Sequence, residues 1–293
     1  MLFIMNPRAG QCKAGKYLSR IIELFNRADY EVTVYMTAGS GHATQIAQSR
    51  AQGMDTVVCC GGDGTFNETV AGVLRSGAKV QLGYIPAGST NDFANGLKLP
   101  TNIMKAAQLV LDGTPKSYDI GRFGSRYFAY TASFGIFTKT SYSTPQSLKN
   151  TLGYLAYLLE SVHELSQIKK EYVRVQTDEG EVFEDDFIFG ALCNATKVGG
   201  VLHLDDHIVD LTDGKFELLL VRYPKKLGDV AECIRALRKQ DYQSRMLVFR
   251  STTGVTVTTA EEMSWTLDGE REAGHTQVQA ACINKAIELL RGE

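Results

Sequence analysis

Residues 55–68 read DTVVCCGGDGTFNE, an apolar run that breaks off in Gly61-Gly62-Asp63-Gly64-Thr65 and passes at once into a helical pattern. Asp55–Cys60 has the length and β-branched content of a buried strand, and the glycines mark where it stops. The same arrangement recurs on both sides. Leu2–Met5 reads as a first strand, followed by a helix over about Lys13–Ala28 with Leu18, Ile21, Ile22 and Phe25 on one face. Val32–Met36 is a second strand, with a helix near His42–Gln52. After Asp55–Cys60 comes a helix over Asn67–Arg75. Val80–Ile85 is a fourth strand, with a helix near Ile103–Leu111. This alternation predicts an α/β domain, a parallel sheet covered by helices on both faces.

After about Tyr118 the character changes. Tyr127–Phe137, Glu171–Thr177, Val182–Asn194, Phe216–Val221, Met246–Arg250, Gly254–Thr259 and Val278–Ile283 read as strands, some separated by turn-like pieces such as Asp178-Glu-Gly180 and Asp268-Gly269. Only Leu152–Gln167 and Leu227–Lys239 read as helices, so this half is expected to be a mainly antiparallel β-sandwich. The last periodic piece, Lys285–Leu290, reads as a short helix returning to the first domain. The expected division is 1–120 and 121–283, with 284–293 going back to the first.

The 293 residues suit two domains, and 44% apolar with 22% charged residues excludes a disordered chain, a collagen-like fibre or a long coiled coil. Thirty-one basic against 33 acidic residues leave a net charge of −2, so no global positive field recruits nucleic acid. No stretch approaches the roughly 20 apolar residues of a membrane span. The opening MLFIMNPRAG lacks a basic leader and a small-residue cleavage site, which predicts an intracellular chain. Its six cysteines contain no CxxC pair and read as core hydrophobes in a reducing compartment.

Ligands of open parallel sheets bind outside the carboxyl ends of the strands. At that edge lie Asn6-Pro7-Arg8-Ala9-Gly10, Thr37-Ala38-Gly39-Ser40-Gly41, Gly61–Thr65 and Pro86-Ala87-Gly88-Ser89-Thr90-Asn91-Asp92. Small residues, exposed N–H groups and helix N-termini together favour phosphate. Neither GxxxxGK[ST] nor a GxGxxG after a strand is present, which excludes a Walker-type enzyme and an ordinary dinucleotide oxidoreductase.

Gly61–Thr65 followed by Asn67-Glu68 resembles the nucleotide loop of the diacylglycerol kinase-like superfamily, shared by lipid kinases, sphingosine kinases, NAD kinases and, more distantly, phosphofructokinases. Asn6-Pro7-x-x-Gly10 is similar to the NPxxG of the lipid kinases. Pro86–Ala94 resembles their PxGTxNDFA loop, with Ser89 where Thr is usual. Leu152–Tyr157 is similar to their LGxxAY helix, and Asp213-Gly214 to their DG turn. The bacterial soluble diacylglycerol kinase type is the nearest in pattern. Ser89 and the segment His203–Asp210 depart from it.

The resemblance implies an ATP- and Mg²⁺-dependent kinase acting on a hydroxyl of a membrane lipid, diacylglycerol first among the candidates. Asn6–Gly10, Thr37, Gly61–Thr65, Glu68 and Ser89–Asn91 would hold ATP. Asp63, the sole carboxylate inside the glycine loop, would reach Mg²⁺, the alternative being a helix cap. Asp92 reads equally as a cap. Glu270, in Leu267-Asp-Gly-Glu270, sits where the family has its catalytic glutamate; on its own it reads as a solvated turn carboxylate. Asp210 and Asp213, with the Lys215 carbonyl, match a structural Mg²⁺ position, against a solvated acidic loop. A zinc site at His203 and His207 is disfavoured, since no third soft ligand accompanies them.

Residues 222–250 carry eight cations against three acids, either a surface for an anionic membrane or a solvated helix face. The expected location is cytoplasmic, transiently at the inner face of the membrane, with a homodimer left open. The rival readings are an NAD kinase and a catalytically silent nucleotide- or lipid-binding regulator.

Overall fold

The computed structural model describes residues 1–12, 14–135, 169–194, 197–198, 202–203 and 209–292. The helix expected over Leu152–Gln167, with the family-like residues 152–157, lies outside them, as do Asp205, Asp206 and His207. The chain forms two compact units, one of Met1–Asp119 with Lys285–Glu293, the other of Ile120–Asn284.

In the first unit, β1 (Leu2–Met5) pairs in parallel with β2 (Thr33–Met36) on one side and β3 (Thr56–Gly61) on the other. β4 (Gln81–Pro86) pairs in parallel with β3. Helices α1 (Leu18–Arg27), α2 (His42–Arg50), α3 (Asp63–Ser76), α4 (Asp92–Gly96) and α5 (Ile103–Asp112) fill the connections. The core joins Phe3 and Met5 of β1 to Ile21 and Phe25 of α1, Val58 of β3, Ile85 of β4 and Val110 of α5. Ile21 and Phe25 stand one turn apart and are wholly buried, each contributing about 1.5–3 kcal/mol.

Three expectations are corrected here. The helix expected from Lys13 begins only at Leu18, after 3-10 turns at Ala9–Cys12 and Ala14–Tyr17. Gly10, at φ +52°, breaks the regular path, and Gly15 weakens it further. The helix expected from Asn67 begins instead at Asp63, with Gly62 as its N-cap, so most of the glycine loop is the first turn of α3. Finally, Lys285–Leu290 is strand, the end of β15 (Glu270–Arg291), and Glu288 and Leu289 pair in parallel with Gln81 and Leu82 of β4. Ile287 and Leu289 are buried and Glu288 exposed, a period of two. Its apolar residues are too few for sequence period alone to separate helix from strand.

The second unit is built of strands, with one helix among its described residues, α6 (Leu227–Lys239). Its strands are the end of β5 (Thr114–Phe123), β6 (Arg126–Phe128), β7 (Thr131–Gly135), β8 (Glu171–Thr177), β9 (Val182–Cys193), β10 (Lys197–Val198), β11 (Leu202–His203), β12 (Phe216–Arg222), β13 (Leu247–Thr252), β14 (Gly254–Leu267) and β15 as far as Asn284. The strand pairings among its described residues are antiparallel. Two separate sheets of a sandwich are not what they make. β9 pairs with β8 through Val182–Phe187 and with β7 through Phe189–Cys193, while β14 pairs with β8 and then with β7. The ladder therefore closes on itself through β7, β9, β8 and β14. Trp265, wholly buried, packs between Phe123 and Phe134 at ring distances of 4.8 and 4.9 Å.

Four cysteines behave as core residues. Cys59, Cys60, Cys193 and Cys233 are buried and unbridged, and burial pushes the Cys60 and Cys233 thiols up to about 12. No described helix is long and apolar enough to cross a membrane.

Candidate functional site

The carboxyl ends of β1, β3 and β4 meet in the first unit, and their loops touch backbone to backbone. A Cβ on Gly88 would lie 2.6 Å from the Gly62 Cα, and one on Gly10 would lie 2.1 Å from the Ala87 carbonyl oxygen. Any larger residue at either place would force the loops apart. Beneath them, Phe66 of α3 stacks on Tyr84 of β4 and Phe93 of α4, at 4.4 and 4.8 Å. Each stack adds about 0.5–1.5 kcal/mol beyond its burial and ties the two helices together.

Polar side chains then lock the loops. The Asn6 amide donates to Thr65 Oγ1 (3.1 Å) and its Oδ1 accepts the Arg8 N–H (3.0 Å), so the first loop is held to the start of α3. Asn91, at φ +52°, accepts the Gly88 N–H at 2.8 Å and donates to the Gly88 carbonyl at 3.1 Å. Asp63 is tied to α4. Its Oδ2 accepts the Asp92 N–H (3.0 Å) and the Thr90 hydroxyl (3.5 Å), and its Oδ1 accepts the Phe93 N–H (3.2 Å). The cap expected of Asp63 is real, but for a neighbouring helix rather than its own. Burial raises its carboxyl pKa, partly offset by those hydrogen bonds. Glu68 does the same for α2, accepting N–H groups from Gly41 (2.6 Å) and Ala43 (3.1 Å). Thr37 donates its N–H to the Met5 carbonyl at 2.8 Å. Arg8, Ser89 and Thr90 are exposed on the loops so held. The first amides of α3 lack intrahelical acceptors, as at any helix start, and carry the positive end of its dipole. The arrangement suits a polyphosphate.

Glu270 belongs to the second unit and opens β15. Leu267 pairs with Glu270 across a two-residue turn, Asp268-Gly269, both at positive φ (47° and 83°), the geometry of a tight hairpin. The Asp268 carboxylate is buried and accepts N–H groups from Ala129 (2.6 Å), Tyr130 (3.0 Å) and Thr131 (2.9 Å). The Tyr130 hydroxyl donates to the Asp268 carbonyl at 2.8 Å. The hairpin that presents Glu270 is thus clamped to the β6–β7 turn. An Asp-Gly pair signals such a turn in sequence, but nothing local signals the clamp.

Asp210 Oδ1 accepts the Thr212 N–H (2.9 Å) and hydroxyl (2.7 Å), and Asp213 Oδ1 accepts the Lys215 N–H (2.9 Å). Two residues on, Glu217 is 3% exposed and its Oε2 has no hydrogen-bond partner. Burial first, then the Asp213 charge, pushes its carboxyl up to about 7. A buried, half-satisfied carboxylate beside two acids is a donor set that a cation would relieve. Among the described residues no three or more His, Cys, Asp or Glu side chains are grouped to hold a metal alone, so a cation here would need the Lys215 carbonyl and water as well.

The basic segment is largely paired inside its own unit. Arg222 and Lys225 reach Asp185 (2.6 and 3.4 Å), Arg245 reaches Asp229 (2.6 Å), Arg235 reaches Glu232 and Asp241 (2.9 Å each), and Arg250 reaches Glu181 (2.9 Å). Leu227, between Lys226 and Gly228, is 74% exposed.

The family model described as the diacylglycerol kinase catalytic domain matches residues 1–123. The chain is 34% identical to a diacylglycerol kinase of Bacillus subtilis (strain 168), over 91% of this chain and 88% of that one. It is 31% identical to a diacylglycerol kinase of Staphylococcus saprophyticus, over 91% and 87%. Its fold matches the crystal structure of a diacylglycerol kinase from Bacillus anthracis with a TM-score of 0.75 at 24% identity, over 99% and 96% of the two chains. An NAD kinase from Archaeoglobus fulgidus, solved with ATP, matches more distantly, with a TM-score of 0.51 at 12% identity over 100% and 94%.

Proposed function

The chain belongs to the diacylglycerol kinase family of lipid kinases, and from that premise we propose that it transfers the γ-phosphoryl group of ATP, with Mg²⁺, to the free hydroxyl of diacylglycerol, giving phosphatidate and ADP. The observation that carries the ATP half is the closed set of loops in the first unit, where Gly10 and Gly88 leave no room for a Cβ.

In this reading Asn6–Gly10, Thr37, Gly61–Thr65 and Ser89–Asn91 bind and orient the polyphosphate, with Arg8 and the α3 amides facing its charge. Glu68 keeps the β2–α2 loop in place. Phosphoryl transfer asks mainly for such positioning and charge neutralisation. Mg²⁺, when bound, supplies the neutralisation on the phosphate oxygens. Asp63 would hold it through Oδ1, which keeps a lone pair beyond the Phe93 N–H it accepts. Glu270 accepts the proton of the acceptor hydroxyl as the new P–O bond forms. Asp210, Asp213 and the Lys215 carbonyl hold a second, structural Mg²⁺, for which the unsatisfied Glu217 oxygen is the support. Leu227 and its neighbouring lysines support a peripheral foothold on an anionic membrane, for an enzyme working in the cytoplasm and transiently at the inner face.

The test is transfer of labelled γ-phosphate from ATP, with Mg²⁺, to diacylglycerol, phosphatidylglycerol, sphingosine and ceramide in mixed micelles, with NAD alongside. Label in phosphatidate is expected. Label in another lipid corrects the substrate, label only in NAD overturns the lipid reading, and no transfer at all favours the silent regulator.

A further inference from the structure

Glu270 and Glu272 project from the same face of β15, two residues apart, and nothing in the strand itself separates their charges. Arg126, the first residue of β6, lies across both. One guanidinium nitrogen, Nη1, makes a close ion pair with Glu272, and Nη2 lies 3.5 Å from Glu270 Oε2. The row extends to His275, whose Nε2 lies 3.4 Å from Glu272 Oε1. That contact needs a bulge. Met263 pairs with His275 and Trp265 with Glu272, so β15 has one more residue than β14 between these pairs. The extra residue returns His275 to the face of Glu272, and Phe123 meets the His275 ring edge-on at 5.9 Å.

The three groups differ in burial. The Glu272 side chain is 13% exposed, Arg126 37% and Glu270 47%. Glu272 is thus the fixed anchor, Arg126 the arm it holds, and Glu270 the end left open to solvent and substrate. The Asp268 clamp fixes the backbone of Glu270, and Arg126 supplies the remaining constraint on its side chain.

We infer that Arg126 is a positioning residue: held by Glu272, it orients the Glu270 carboxylate and offsets the repulsion between the two acids. This rests on the reading of Glu270 as the base. Removing Arg126 leaves two adjacent carboxylates uncompensated, so the open one turns away. A displacement of about an ångström in a reacting group costs up to about a hundredfold in rate.

The experiment is a double-mutant cycle on labelled-phosphate turnover, with melting temperature measured throughout. Arg126→Met is expected to lower kcat about tenfold to a hundredfold and to change KM for ATP less than about twofold. Arg126→Lys should recover part of the loss, since a point charge replaces the fork. In the Glu270→Gln background, Arg126→Met should add almost nothing, because the group it orients is no longer a base. A loss just as large in that background, or one matched by a fall in melting temperature, would overturn the positioning role while leaving Glu270 as base. Wild-type turnover in Glu270→Gln would overturn the base itself and the inference with it.

Discussion

Asp63 and Glu68 of the first unit are satisfied differently from Glu270 and Glu217 of the second. In the first unit, Asp63 and Glu68 each accept two backbone N–H groups from a neighbouring helix start. Those dipoles are part of the fold, so the loops keep their shape whether or not a ligand is present. In the second unit, Glu270 leans on one arginine, and Glu217 is buried with an unsatisfied oxygen next to Asp213 and Asp210. Side chains and cations are exchangeable in a way that backbone amides are not. The contacts of Asp63 and Glu68 are therefore built into the backbone, whereas Glu270 and Glu217 are left to side chains or a cation.

That contrast is broken most forcefully at Glu270. Glu270→Gln should lower turnover by about a hundred- to ten-thousandfold while ATP binding, read by calorimetry, persists; retained turnover removes it as the base. Gly88→Ala should act on the other side, weakening ATP binding about tenfold or more, since the added Cβ meets the Gly62 Cα and the loops must part. If ATP binds it normally, the loops are less rigid than argued. Asp63→Asn keeps one of the two α4 N–H acceptors but loses the charge, so turnover should fall about a hundredfold, with a stability loss of about 1 kcal/mol from the lost acceptor. Wild-type turnover there would remove Asp63 from Mg²⁺ binding.

Two smaller effects sharpen the comparison in the second unit. Asp213→Ala should lower the melting temperature in Mg²⁺ by a few degrees, about 1–2 kcal/mol, and flatten its dependence on Mg²⁺; no change in either would dismiss the site. Glu217→Gln should move the other way without Mg²⁺. At about pH 8 its carboxylate is charged, buried and unpaired, so the amide stabilises by about 1 kcal/mol. Added Mg²⁺ should shrink that gain, and a gain indifferent to Mg²⁺ would separate Glu217 from any cation.

The sequence exposes what is local. Strands β1, β3 and β4 are short apolar runs ending in small polar residues, and Leu227–Lys239 carries its helical period in full view. The glycine loop is equally plain, because the chemistry that needs it also dictates its composition. What stays hidden is long-range. Asp63 caps a helix 29 residues away, and Asp268 binds a turn 138 residues away, each through an ordinary carboxylate. β5, with Pro115, Lys116 and Asp119 in it, has no strand-like pattern and is held by its partners. Arg126 gives no sign of its place beside Glu270, since it comes there through a different hairpin.

One strand joins these two regimes. β15 starts at the candidate base and ends with Leu289 and Leu290 inside the first unit, against β4. Residues 1–119, though made first on the ribosome, cannot finish their own sheet until residues 285–291 have left the exit tunnel. For the whole of that interval the flank of β4 is an open template for other chains. Completion of the first unit's sheet thus waits on residues 285–291, made long after its other strands.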